Sequence, residues 1–443
     1  MKILEKRQQL LLILLTILVF FPNFFNDFQL AWDDQWQLLD FEFVVNHSYN
    51  AMIYHFTNFY QGQYFPVNTV LYILLYESFG FNASVYHAAC LLIHVFNALL
   101  VYGIIVNVLA FVKRNWTIAR IRWFSFMVAL IFAVHPLQVE SVAWISASKI
   151  VLYTLFTLLA IRFYISYIKS GKKILLLVVA LCYLLSFGSK EQAIILPLNL
   201  IAFDYIFNRY RNVKVRLREF YSTVLLEKLF FLLIGFFMYR FSVANNLGTF
   251  DVETYPLYQR LLFGMSSFME YIFRFIAPVK LYYFYFFPIE IGENLPAYYW
   301  GYPVLILICV FFVLSQYERG NRLVLFGIML FVINLLLVLH IVPMPRKMIT
   351  ADRYMYVSIV GIGIVLTWLI QWVYLKKKHW RKIVITLCCG WMIFLGVHSH
   401  ERTKDWQDSD SIKQNVTDLI ERRKAQDKPV VNNPLKGGLH EEK

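Results

Sequence analysis

Stretches such as Leu10–Phe25, Ile174–Phe187 and Leu323–Val342 carry almost no charge, and similar runs recur from one end of the chain to the other. An apolar run of about 20 residues crosses the hydrocarbon core of a bilayer as a helix. Lipid offers backbone N–H and C=O groups no partner, so each run must satisfy its own hydrogen bonds. The fold class that follows is an all-α polytopic membrane protein. Composition agrees, since 59% of the 443 residues are apolar and 18% are aromatic. The cysteines Cys90, Cys182, Cys309, Cys388 and Cys389 all lie in apolar runs without metal-ligand spacing, and read as packing residues.

The net charge of +14 is distributed as the positive-inside rule requires, which argues against a nucleic-acid partner. Spans are predicted at Leu10–Phe25, Val85–Phe111, Trp123–Pro136, Ile150–Ile168, Ile174–Gly188, Ala193–Phe207 and Leu225–Val243. Beyond these come Tyr302–Leu314, Leu323–Val342, Tyr354–Tyr374 and Ile383–Val397, about eleven in all. With the N-terminus cytoplasmic, Lys113, Arg114, Arg120 and Arg122 fall inside, as do Lys169, Lys172 and Lys173. Arg209 to Arg218, Arg319 with Arg322, and Lys376 to Lys382 follow the same parity. The first run is read as an uncleaved span, because no small-residue cleavage site follows it. Val67–Phe79 is expected at the interface or folded back on the bundle, and Leu257–Leu281 as a hairpin or interfacial helix. The expected domains are a transmembrane unit over residues 1–400, with an outer loop at 26–84, and a polar tail over 401–443. That tail is expected on the outer side as one short helix followed by disorder.

The outer loop is chemically odd. From Asn26 to Ser84 there is no Lys or Arg, yet Asp27, Asp33, Asp34, Asp40, Glu42 and Glu77 all fall there. Asp33 and Asp34 sit between Trp32 and Trp36 and are the candidate reaction centre. The few cations that parity places on the same side include Lys149, Lys190, Arg346, Lys347 and Arg353, several of them at span mouths. Arg grips phosphate oxygens as a fork and Lys as a point charge, so a carboxylate facing such cations suits proton removal beside an anionic lipid headgroup. The competing reading for each cation is snorkelling to the interface. Tyr282–Phe287 and Tyr298–Trp300 read as an interfacial aromatic belt. His87, His94 and Asn97 share a helical face, which suits interhelical hydrogen bonding better than a metal. Asp204, near the inner end of its span, reads as structural. No Gly-rich phosphate loop or βα alternation is present for a nucleotide sugar, so an outer-face transferase would draw on a membrane-borne donor. A polyprenyl-phosphate sugar meets that need: a base deprotonates the acceptor hydroxyl while cations stabilise the departing phosphate.

Several motifs occur in an order that resembles a known family. They are Ala31-Trp32-Asp33-Asp34, Tyr86-His87 with His94 and Asn97, His135-Pro136-Leu137-Gln138-Val139-Glu140-Ser141-Val142-Ala143-Trp144, Ser189-Lys190-Glu191-Gln192, and Ala351-Asp352-Arg353-Tyr354. Together they resemble the transmembrane part of the tetratricopeptide-repeat-containing O-mannosyltransferase-like proteins. Those are related to protein O-mannosyltransferases and aminoarabinose transferases of the GT-C glycosyltransferase fold. The resemblance covers most of residues 10–406.

It implies inverting transfer from a dolichyl- or undecaprenyl-phosphate sugar on the lumenal or periplasmic face, in a bacterial inner membrane or an endoplasmic-reticulum membrane. It implies Asp33 as base and Asp34 as a helper orienting acceptor or metal, with a divalent metal allowed but no ligand set shown. Lys149, Lys190, Arg346 and Arg353 become candidate donor-phosphate ligands. His87, His135, Glu140, Glu191 and Asp352 become further site candidates. The chain departs from the family pattern twice. Ala147-Ser148-Lys149-Ile150 stands where bacterial relatives often carry Glu-Arg-Lys-Asp, and the repeats are absent. The leading acceptor is a protein hydroxyl, and a lipid or cell-surface glycan is the alternative. A transporter or flippase, or an inactive structural subunit, is the reading from another class.

Overall fold

The computed structural model describes residues 2–30, 32–209, 224–245, 255–341, 348–426 and 428–431. Among them the chain is helical throughout, and the one β-type pairing is an isolated bridge between Tyr60 and Gln63. It runs through α1 (Lys2–Val19), α2 (Glu42–Val45), α3 (Tyr49–Thr57) and α4 (Pro66–Phe79) to the long α5 (Ala83–Val112). Next come α6 (Ile118–Val134), α7 (Val139–Ala143), α8 (Ser148–Ser170), α9 (Ile174–Ser189), α10 (Leu196–Ile206) and α11 (Leu226–Asn245). The second half holds α12 (Leu257–Ile276), α13 (Tyr302–Glu318), α14 (Arg322–Leu335), α15 (Met355–Lys376), α16 (Arg381–Lys404) and α17 (Ser409–Ala425).

A helix lies at each predicted span position, but helix and span are different statements. Among the described residues, five stretches are long and apolar enough to cross a membrane: Ala83–Val112, Ile145–Ser170, Ala297–Glu318, Asp352–Lys376 and Lys378–Lys404. A sixth arises if α6 and the bent segment after it count together. Ile174–Ser189 and Arg322–Val338 are apolar but shorter; 16 residues at about 1.5 Å each reach only about 24 Å. Helices α13 and α16 leave Leu307, Ile308, Phe311, Leu387 and Ile393 exposed. Apolar surface of that kind is unfavourable in water and suits lipid.

Interior packing follows from small residues and buried amides. α8 lies along α9, α5 packs between α6 and α8, and α14 lies along α15. The last pair is very close: a methyl carbon on Gly361 would collide with the Gly327 carbonyl oxygen and the Phe331 backbone nitrogen. His94 meets the Tyr356 hydroxyl at 2.7 Å and the Ala133 carbonyl at 3.0 Å, and Asn97 donates to Tyr356 and to the Val151 carbonyl. These two residues therefore stitch α5 to α6, α8 and α15. Asp204 is also structural, paired with Lys228 at 2.7 Å and Arg209 at 3.0 Å while accepting from Tyr164.

One expectation is resolved and one changes. Of the hairpin and the interfacial helix expected for this region, residues 257–276 take the form of one helix, which buries Leu262, Phe263, Met269, Tyr271 and Phe275. The Tyr282–Phe287 run is not a belt, because Phe284, Tyr285, Phe286 and Phe287 are all buried. The cause is α17, whose Ile412, Val416 and Ile420 join the main core, while Arg423 lies over the Phe286 ring and donates to the Phe287 carbonyl. Tyr298 and Trp300 do remain exposed.

The tail also ties to the acidic loop. Asp27 N–H donates to the Gln407 carbonyl at 2.7 Å, Gln29 to Trp406 at 2.8 Å and Asn26 to Thr403 at 3.0 Å. Loop and tail thus share one face of the bundle. Cysteines placed at exposed Asn50 and Asp410 are expected to react with an impermeant maleimide from the same side of sealed vesicles, and one at Lys377 from the other. Labelling of residues 50 and 410 from opposite sides would contradict this arrangement.

Candidate functional site

On the loop face, the charged motifs sit at interruptions in helices. Pro136 has no N–H to donate and biases the preceding residue towards extended backbone; His135 adopts φ −75°, ψ 137°. The chain bends by 53° there, and the short α7 presents Glu140. Lys190 is extended at φ −161°, ψ 134° between α9 and a 3-10 turn beginning at Glu191. Ala351 is extended before the Asp352–Tyr354 turn that leads into α15. Glu140, Lys190, Glu191, Asp352 and Arg353 lie at or beside these breaks.

The loop itself is anchored by Asp34. This residue is fully buried, and its carboxylate accepts from Gln29 N–H at 2.9 Å, from Ser146 N–H at 2.8 Å and from the Ser146 hydroxyl. Below it, Phe28, Trp36, Leu38, Phe41, Phe65, Tyr72, Tyr86 and Ile145 form a second core. Burial pushes the Asp34 carboxyl up from 3.8 to about 6, against the opposing pull of the Ser146 and Gln29 hydrogen bonds. The folded form then holds its proton more tightly than the unfolded chain. Its contribution favours folding below pH 3.8 and is lost as pH rises through about 6. Asp34→Asn removes that titration, so the melting-temperature advantage of the natural protein over the variant is expected to shrink from pH 4 to pH 7. A gap independent of pH would contradict this.

Asp33 is placed differently. It is half-buried, and one oxygen accepts from the Trp36 indole N–H at 3.1 Å. Its charge acts on both Lys149 and Arg353. Lys149 is buried, and its ammonium donates to two neutral amide oxygens, Gln37 at 3.0 Å and Gln63 at 2.5 Å. Lys190, Glu191 and Arg353 lie within Coulombic reach of the same ammonium. Asp33, Lys149, Lys190, Glu191 and Arg353, drawn from four separate segments, are therefore one electrostatic neighbourhood.

The other predicted residues divide by role. Arg353 is ion-paired with Glu140, which also accepts its backbone N–H at 2.8 Å, and its guanidinium lies over Trp144 and Tyr354. Asp352 is fully buried between Arg402 at 2.7 Å and the Tyr285 hydroxyl at 2.8 Å. His135 uses both ring nitrogens on backbone, at Phe275 and Leu137. Asp352 and His135 thus hold the helix breaks together. His87 contacts the Asp27 carbonyl at 3.4 Å and secures the start of the loop. Arg346 and Lys347 lie outside the described residues.

A metal does not fit at Asp34, whose oxygens are taken by three donors. Among the described residues no group of three or more His, Cys, Asp or Glu could hold one. Four residues that shape the site were not singled out from sequence: Ser146, Gln37, Gln63 and Arg402. The first three are uncharged, and Arg402 looks like an ordinary basic flank at the end of the last apolar run. A scan against protein-family models and searches of curated proteins and of solved structures found no match to this chain.

Proposed function

We propose that this chain is an integral-membrane, inverting glycosyltransferase of the GT-C type, with about eleven membrane-crossing or membrane-embedded helices. It moves a sugar from a polyprenyl-phosphate donor to a hydroxyl, in the first instance on a protein, at the face that carries the acidic loop. The observation that carries this reading is the unequal fate of the two adjacent acids. Asp34 is consumed in holding the loop, whereas Asp33 is left half-buried beside Lys149 and Arg353. The resemblance of the motifs to the O-mannosyltransferase-like proteins supports the same reading.

The chemistry balances on this chain's own groups. Asp33 takes the proton of the acceptor hydroxyl as its oxygen attacks the anomeric carbon. The bond from that carbon to the phosphate oxygen breaks, and the electron pair leaves with the polyprenyl phosphate. Lys149, held by the neutral Gln37 and Gln63 amides, and the neighbouring Lys190 stabilise the added negative charge. Arg353 contributes less, because Glu140 already occupies part of its guanidinium. A positioned cation aimed at developing charge is worth about 10²–10³-fold in rate. Lys149→Gln is accordingly expected to lower turnover of a polyprenyl-phosphate sugar by about that factor, with normal membrane insertion. Unchanged turnover and donor KM would remove Lys149 from the donor site. A lipid or glycan acceptor is the second reading, favoured by the departure from the family pattern at Ala147-Ser148-Lys149-Ile150, and a panel of acceptors assayed with one donor separates the two.

A further inference from the structure

A second polar site lies at the far end of the molecule. Helix α5 has 30 residues, about 45 Å at 1.5 Å per residue. It begins beside the acidic loop, where Tyr86 packs on Phe28, and ends at Lys113. There, with the end of α10 and the turn between α13 and α14, it borders an open cavity of about 550 Å³. Its lining includes Lys113, Arg114, Arg322, Asn115, Asn208 and Phe111, and no carboxylate is among the described lining residues.

Three cations, Lys113, Arg114 and Arg322, are among the lining residues. Arg322 turns one nitrogen onto the Tyr205 and Ile206 carbonyls that end α10 and lies over the Tyr205 ring. Arg114 lies over the Phe111 ring at 5.6 Å and Lys113 over Trp116 at 5.7 Å, so apolar faces hold both in place. Three like charges around one cavity repel each other unless an anion joins them. The cavity lies at helix ends, and Phe111, Val112 and Ile206 give it an apolar wall. Basic pockets between helix ends at a membrane surface suit anionic lipid headgroups.

We infer that this cavity binds the phosphate of an anionic phospholipid from the leaflet opposite the acidic loop, with Arg114, Lys113 and Arg322 on the phosphate and the acyl chains against the apolar wall. The site is independent of the transfer reaction and stands whether or not that proposal holds.

The test uses the full chain purified in detergent, with bound phosphatidylglycerol or phosphatidylcholine counted by native mass spectrometry. The expected result is retention of phosphatidylglycerol over phosphatidylcholine, with a Lys113→Gln, Arg114→Gln double variant losing at least tenfold in phosphatidylglycerol affinity. A Lys376→Gln, Lys377→Gln double variant, which alters basic residues outside the cavity, is expected to bind as the natural protein does. Arg322→Gln is the weaker probe, since that residue also caps α10. Equal loss in both double variants would reduce the effect to general surface charge and overturn the site. Displacement of the lipid by an equal concentration of inorganic phosphate would overturn the lipid as its ligand.

Discussion

Asp33→Asn is expected to cut sugar transfer by about 10²–10⁴-fold, the contribution of a general base, while expression and membrane insertion stay normal. The substitution is well suited to the question. Asn keeps the oxygen that accepts from the Trp36 indole and leaves the Asp34 anchor of the loop untouched, so only the carboxylate is lost. Asp34→Asn is not equivalent. Its amide would present a donor to a carboxylate site where Gln29 N–H and the two Ser146 groups already donate. A variant of Asp33 that turns over donor at the natural rate would remove it from the base role.

Arg402→Ala is expected to be the most damaging single change away from the proposed reaction centre. Arg402 is buried, pairs with Asp352 at 2.7 Å and donates to the Pro136 carbonyl at 2.9 Å. It therefore joins two of the helix breaks that carry the site. Removing one partner of a buried pair strands the other charge and costs about 3–5 kcal/mol. The double variant Arg402→Ala, Asp352→Asn should recover a large part of that loss, because the Tyr285 hydroxyl still has an oxygen to donate to. Thermal unfolding of the detergent-solubilised single and double variants measures the coupling. Additive losses would show that the two residues do not act as a pair.

Apolar runs place helices, because backbone in lipid has one solution, and each predicted run holds a helix. The span count is less legible, since a helix of 16 residues such as α9 packs in a bundle without the length to cross by itself. The pairing of acids with stranded cations was visible because charge on an apolar protein is conspicuous. Asp33, Lys149, Lys190, Glu191 and Arg353 do come together.

The resemblance already sets Asp33 apart from Asp34, but it does not show that Asp34 is buried as the anchor of the loop. That anchoring depends on Ser146, an uncharged residue more than a hundred positions away in the chain. The Asp352–Arg402 pair was hidden for the same reason: a basic residue closing an apolar run looks like a membrane flank until its partner is placed. The aromatic run at 282–287 was misleading because composition cannot separate a ring at the lipid interface from one covered by a later helix, here α17.

The most direct measurement of the central claim is release of polyprenyl phosphate from a panel of labelled polyprenyl-phosphate sugars by the purified protein in proteoliposomes, with a hydroxyl acceptor supplied on the loop face. The account predicts release with at least one sugar, coupled one-to-one to acceptor glycosylation and lost in Asp33→Asn. Absence of release with every donor, or release undiminished in Asp33→Asn, would contradict it.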